Sequence, residues 1–307
     1  MKAIEKSRRW YENILLPELK KHFPEELCRM AVGVAGRGSE CFGFDDEVSG
    51  DHDNLTGVSI WLTDEDERTF GLALGRLYRE VHRRTFPEKG HKSQLGFAEH
   101  GVDTVSGFFR RHLGISGAPE SCRQWLDIPE YALAEAVNGE IFADGPGIFS
   151  AIREKIMYGM PEDVRLKKIA GHLVMMAQSG QYNFERCLKH GETAAAEIAL
   201  GEFVRHAVSL AFLLNFRFAP YYKWMFRGMR QLPQLGFAAE KLAALLVEKQ
   251  NIQPRLTLIE EIASDFIRVI QEQNLSEAAG NYLEPHAFAV LRGIGDQQLR
   301  AMHIMDF

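Results

Sequence analysis

A surplus of cations, a long apolar run, paired cysteines and internal repeats are all missing from this 307-residue chain. Lys and Arg number 36 against 42 Asp and Glu, a formal net charge of -6. Affinity for a polyanion comes chiefly from clustered Lys and Arg, so this balance argues against strong nonspecific nucleic-acid binding, although a local basic groove is still compatible with it. The longest apolar run, Ala207 to Leu214, falls far short of the ~20 residues that a bilayer span takes. The opening MKAIEKSRRW is charged where a signal peptide needs an apolar centre. Cys28, Cys41, Cys122 and Cys187 lie far apart with no Cys-x-x-Cys pair, which argues against a zinc site and against a disulfide framework. Free thiols in a reducing cytoplasm are therefore expected. A chain of this length buries a sizeable core without such staples.

What is present is concentrated between Val32 and Asp53, VGVAGRGSECFGFDDEVSGDHD. Met30, Val32 and Val34 alternate as in a buried strand, and Gly36 and Gly38 end it in a turn that only glycine enters cheaply. Ser39 follows. A turn of this kind opening into a helix aims N–H groups and a hydroxyl at one spot, a place for phosphate oxygens. Further on, Asp51 and Asp53 project to the same face of an extended segment because side chains alternate along it. Neighbouring carboxylates repel unless a cation sits between them. Hard oxygen ligands suit Mg²⁺, usually held by one or two carboxylates together with substrate phosphates. Asp45, Asp46 and Glu47 read as a solvated connection. A second Asp-x-Asp, Asp64-Glu65-Asp66, reads differently: Asp64 and Glu67 ahead of Phe70, Leu72, Leu74 and Leu77 form a helix-capping pattern.

In chain order, residues 3–22 read as an amphipathic helix with Trp10, Ile14, Leu15 and Leu19 on one side, kinked or split at Pro17. Residues 51–62 read as a central or near-central strand, alternating through Val58, Ile60 and Leu62. A helix over about 64–84 ends in His82, Arg83 and Arg84, with Lys89, His91 and Lys92 beyond it; these cations complement the helix dipole or form a rim facing phosphates. Strand-like runs follow at 94–97 and 101–106, the second carrying Asp103 between β-formers. From Trp125 the character changes. Residues 138–145 read as a turn with a short extended piece, and everything past Gly147 reads helical, so the boundary is placed near 130, giving domains 1–130 and 131–307. In the helical half, Gln178, Gln181, Asn183 and Arg186 read as a hydrogen-bonded seam, and Asn215 and Arg217 end an apolar helix. Lys223 stands among Tyr221, Tyr222 and Trp224, snorkelling along the rings or pinned for a phosphate. Pro254 breaks a helical pair over 237–269, while His286 and His303 read as surface or packing residues.

Gly38-Ser39, a spacer and Asp51-x-Asp53 resemble the signature of the DNA polymerase β-like nucleotidyltransferase superfamily. The wider wording, GSE, GFDDE and SGDHD, resembles one branch of it, bacterial proteins of unknown function with a nucleotidyltransferase-like domain and a helical C-terminal half. The resemblance implies an α+β fold, a nucleotidyltransferase-like mixed-sheet lobe followed by an all-helical lobe. It implies Gly38 and Ser39 on the nucleotide phosphates, with Lys223 steadying them. It also implies two Mg²⁺ held by Asp51, Asp53 and a third acid, Asp103, with Glu99 as the alternative. The implied reaction is metal-dependent transfer of a nucleoside monophosphate from an NTP to an unidentified acceptor hydroxyl, in which Asp103 completes the second metal site or acts as base. The rival readings are a non-catalytic nucleotide-binding or antitoxin-like regulatory protein on the same fold, and an interaction protein whose helical half does the work. Because grouped carboxylates repel, neutralising Asp51, Asp53 or Asp103 is expected to leave the metal-free fold as stable as before or slightly more so.

Overall fold

The structure, a computed structural model, describes residues 2–46, 56–86, 100–247 and 252–307. Asp51 and Asp53, the alternative acid Glu99, Glu47, the basic residues 89–92 and the strand-like run 94–97 lie outside the described residues. The chain falls into two compact units, Met1–Glu120 with Ala132–Gly159, and Ser121–Tyr131 with Met160–Phe307.

In the first unit, α1 (Ala3–Trp10) and α2 (Leu16–His22) are joined by a π-helical stretch, Tyr11–Leu15. Pro17 lies in the first turn of α2. It has no N–H to return to the preceding turn, and the helix widens there instead of breaking. Next come β1 (Ala31–Val34) and β2 (Ser59–Leu62), each buried throughout. They are followed by α3 (Asp64–Asp66), a π segment at Glu67–Gly71, and α4 (Leu72–Thr85). The cap of this helical run falls one residue earlier than the sequence suggests: Thr63 Oγ1 accepts from the Asp66 N–H at 3.1 Å, and the Asp66 carboxylate meets Arg29. The run forms the crossover that a parallel strand pair requires, leading to β3 (Gly101–Thr104).

The strand expected over 101–106 stops at Thr104. Its Oγ1 accepts from the Gly107 N–H at 2.9 Å and so caps α5 (Val105–Leu113), a helix that the β-forming residues on either side of Asp103 conceal. After α6 (Cys122–Asp127), α7 (Glu130–Val137) leads into β4 (Glu140–Asp144) and α8 (Ile148–Tyr158). The sheet runs β3-β2-β1-β4, with β2 and β3 parallel and β1 antiparallel to both β2 and β4. It is the mixed sheet expected, and the short extended piece near 140 is its edge strand.

Alternation along the strands gives the sheet two different faces. Val32, Val34, Ile60 and Leu62 join Leu15, Leu19, Leu74, Tyr78 and Val81 in one core against the surrounding helices. Burying each large aliphatic there contributes about 1.5–3 kcal/mol. On the other face, Trp61 stacks on Phe149 of α8 with ring centroids 4.0 Å apart and meets the edge of Phe108 of α5 at 5.4 Å.

Among its described residues the second unit is all helical, apart from turns. Besides α6 it contains α9 (Glu162–Met176), a π segment (Ala177–Phe184), α10 (Glu185–Lys189), α11 (Thr193–Leu214), α12 (Tyr222–Met229), α13 (Ala238–Val247), α14 (Ile252–Glu272), α15 (Leu283–Arg292) and α16 (Gln297–Ala301). Pro254 sits inside α14, in its first turn, where a missing N–H is tolerated. The expected seam is carried by Gln181, whose amide donates to Glu260 (2.8 Å) and to the carbonyl of Asn281 (2.9 Å) and accepts from the Leu283 N–H (2.9 Å). Buried Lys167 donates to the carbonyls of Met302 (3.0 Å) and His303 (2.7 Å), tying the C-terminal segment to α9. His286 is fully buried, bonded to Ser276 (3.0 Å) and to the carbonyl of Gly280 (3.1 Å), a packing role.

Candidate functional site

Beside Trp61 the first unit holds a cavity of about 230 Å³, lined on the strands by Ser59, Trp61, Gly101 and Asp103, on the turn after β1 by residues 35–38, 40 and 41, and on α5 by Phe108, Arg111 and His112. The register pairs Trp61 with Asp103 across the parallel β2–β3 ladder, while Asp51 and Asp53 lie outside the described residues. The cavity is smaller than the ~300 Å³ at which small-molecule sites usually begin.

The turn that forms one wall is held from behind. Gly36 has φ +127°, a conformation that L side chains rarely adopt. Its N–H donates to Asn138 Oδ1 (2.9 Å), and its carbonyl accepts from Asn138 Nδ2 (2.6 Å). Arg153 donates in turn to the carbonyls of Asn138 (2.7 Å) and Val137 (2.9 Å). Burial, opposed only by Cys41, pulls this guanidinium down to about 10. The Gly36 N–H is therefore spent inside the protein and is not offered to a ligand. Gly38 differs from the sequence reading: its φ is not positive, and a Cβ there would meet only the end of the flexible Glu40 side chain, so the backbone here does not require glycine. Ser39 is buried and is not among the residues lining the cavity. Its carbonyl accepts from the Phe42 (3.2 Å) and Phe44 (2.9 Å) N–H groups.

Asp103 is in the cavity wall, but with a partner of its own. Its Oδ2 accepts from Arg111, one side chain 28% and the other 53% exposed. Its Oδ1 lies 2.8 Å from where a Cβ of Gly107 would stand, over the first turn of α5. Asp45, from the acid-rich connection, accepts from the Ala3 N–H at 2.9 Å and so holds the start of α1. No group of three or more His, Cys, Asp and Glu among the described residues could hold a metal ion. Asp103 alone does not fit Mg²⁺, and a site would require Asp51 and Asp53. Lys223 belongs to the second unit, with its Nζ 4.9 Å from the centroid of the Trp224 ring.

The groups that sequence reasoning missed come from α5 and α7. Glu135, nearly buried, accepts from Arg37 Nε at 3.3 Å on the same oxygen that faces His112 Nδ1 at 3.2 Å. The signal was present but ambiguous. Arg110-Arg111-His112 reads as ordinary cations at a helix end, whereas a lone glutamate in the apolar run YALAEAV is a buried charge in need of partners.

The fold and this cavity define a class: a mixed α/β lobe with a small sheet and an arginine-lined cavity, followed by a long all-helical region. Residues 125–225 match a family described as "Domain of unknown function (DUF4037)". Comparison with curated proteins gives no match. Among solved structures, the chain is similar to a nucleotidyltransferase-like protein from Exiguobacterium sibiricum 255-15, at 10% identity and a TM-score of 0.37, over 92% of this chain and 81% of that one. Among the described residues, no helix is long and apolar enough to cross a membrane.

Proposed function

We propose that the first unit binds the phosphates of a nucleoside triphosphate and transfers its nucleoside monophosphate to an acceptor hydroxyl. The observation that carries this reading is the parallel β2–β3 pair, which lines one cavity with Ser59, Trp61 and Asp103 opposite the Arg37–Gly38 turn. In this reading Asp51, Asp53 and Asp103 hold Mg²⁺, which supplies charge neutralisation at the phosphates. Arg37, Arg111 and the Gly38 backbone steady the phosphates. Most of the protein's contribution is the positioning of charge. Ser39, buried behind the turn, is assigned no part in it.

The pairing of Asp103 with Arg111 favours a second reading, in which the same cavity senses a nucleotide without turning it over. Incubating the pure protein with each α-labelled NTP and Mg²⁺ in a cell extract separates the two. Label transferred to an acceptor, and lost in Asp51→Asn and Asp53→Asn, supports catalysis. Saturable nucleotide binding with no transfer supports sensing.

A further inference from the structure

Resting on that reading, we infer that His112 is the proton acceptor of the reaction and that Glu135 is its positioning residue. The imidazole sits in the cavity wall with its side chain 8% exposed, and Glu135, 7% exposed, contacts its Nδ1 at 3.2 Å. A carboxylate takes the proton-bearing nitrogen, so Nδ1 carries the hydrogen and Nε2 carries the lone pair. Among the described residues no hydrogen bond reaches Nε2. It lies 3.5 Å from where a Cβ of Gly36 would stand, which puts it against the turn that walls the cavity. Phe108, one helical turn earlier, packs on the ring at 4.6 Å between centroids and limits its rotation. Arg37 bonds the same Glu135 oxygen, so the carboxylate is held from two sides and the ring inherits a fixed direction.

The step balances without a further reactant. The acceptor oxygen forms a bond to the α phosphorus, and the bond from that phosphorus to the pyrophosphate oxygen breaks. The electron pair of the broken bond leaves with pyrophosphate. The hydroxyl proton passes to His112 Nε2, making an imidazolium whose charge faces the Glu135 carboxylate. Return of that proton to water or to the departing pyrophosphate restores the neutral ring. Glu40, Cys41, His100, Asp103 and Arg111 line the same cavity and, with Glu135 and Arg37, are the groups whose charges bear on this histidine. The geometry assigns the base role to His112 in preference to Asp103, whose carboxylate is engaged by Arg111.

The test compares the full-length protein with His112→Gln and Glu135→Gln, both checked for an unchanged melting transition. Diethyl pyrocarbonate acylates neutral imidazole, and peptide mass mapping reads its rate at His112 with and without Mg²⁺-ATP, CTP, GTP or UTP. We expect His112 to react in the free protein, to be protected at least fivefold by the nucleotide that binds, and to react more slowly in Glu135→Gln. Transfer of α label in cell extract should fall at least 100-fold in His112→Gln, a typical general-base contribution, with nucleotide affinity within threefold. The acid limb of its pH–rate profile should vanish. Nucleotide binding without protection of His112, or transfer by His112→Gln at the wild-type rate, overturns the inference while the functional reading stands. Absence of nucleotide binding in the wild-type protein overturns both. If Glu135→Gln fails to fold, His112→Gln alone decides the matter.

Discussion

Replacing Asp103 by Asn separates a metal acid from a structural one, and the structure sets the size of the effect. The ion pair with Arg111 is half open to solvent, 28% and 53% exposed, and pairs of that kind contribute up to about 1 kcal/mol. The carboxylate also lies over the first turn of α5, where a negative charge next to the helix N-terminus adds about 0.3–1 kcal/mol. Asp103→Asn should therefore cost the metal-free protein roughly 0.3–2 kcal/mol, a fall of about 2–4 °C in Tm per kcal/mol for a unit of this size. That sign is opposite to the one expected from mutual repulsion of grouped acids, because Arg111 was not visible as a partner in the sequence. Melting curves in EDTA for wild type, Asp103→Asn, Arg111→Gln and the double variant give the coupling directly. The coupling should shrink at 1 M salt, where exposed charges are screened. An Asp103→Asn protein as stable as wild type, or a loss above about 3 kcal/mol of the kind seen for buried pairs, would refute the reasoning.

Trp61→Ala removes the stack on Phe149 and the edge contact with Phe108. It should cost about 3–5 kcal/mol in chemical denaturation, and a loss below 1 kcal/mol would mean that this face of the sheet is not packed as described. Burial first, then His172 and Arg205, hold His206 down to about 2, against an ordinary value of 6.5. The unfolded chain therefore takes up a proton below that ordinary value while the folded protein does not, so stability is full above it and falls as pH drops, by roughly 2 kcal/mol at pH 5. Denaturation at neutral pH and near pH 5 should show a smaller acid loss in His206→Asn than in wild type, and equal losses would contradict the assignment. Lys223→Ala should weaken nucleotide binding with little change in Tm if its amine meets phosphate; an unchanged affinity leaves it as a cation resting on Trp224.

Much of the architecture was legible because it rests on periodicity. Val58, Ile60 and Leu62 announce β2, and the apolar periodicity after Gly147 announces the helical region. What misled was local chemistry with two meanings. Val105 reads as a strand residue in Val102-Asp103-Thr104-Val105, yet the Thr104 hydroxyl caps a helix that begins at Val105. Gly38 resembles a conformational glycine, yet its φ is not positive. The cavity was legible on its strand side and in the Gly36–Gly38 turn alone. Its α5 and α7 walls bring His112 and Glu135 together from 23 residues apart, and no spacing rule links two positions on different helices. Asn138, which clamps Gly36 from 102 residues away, is hidden for the same reason.

The claim on which the rest depends is that the cavity beside Trp61 receives nucleotide phosphates. Calorimetric titration of Mg²⁺-ATP, CTP, GTP and UTP into the wild-type protein and into Arg37→Ala tests it most directly. The account predicts saturable heat for at least one nucleotide at submillimolar concentration and at least tenfold weaker binding in Arg37→Ala. No binding of any of the four at millimolar concentration, or full affinity in Arg37→Ala, would contradict it.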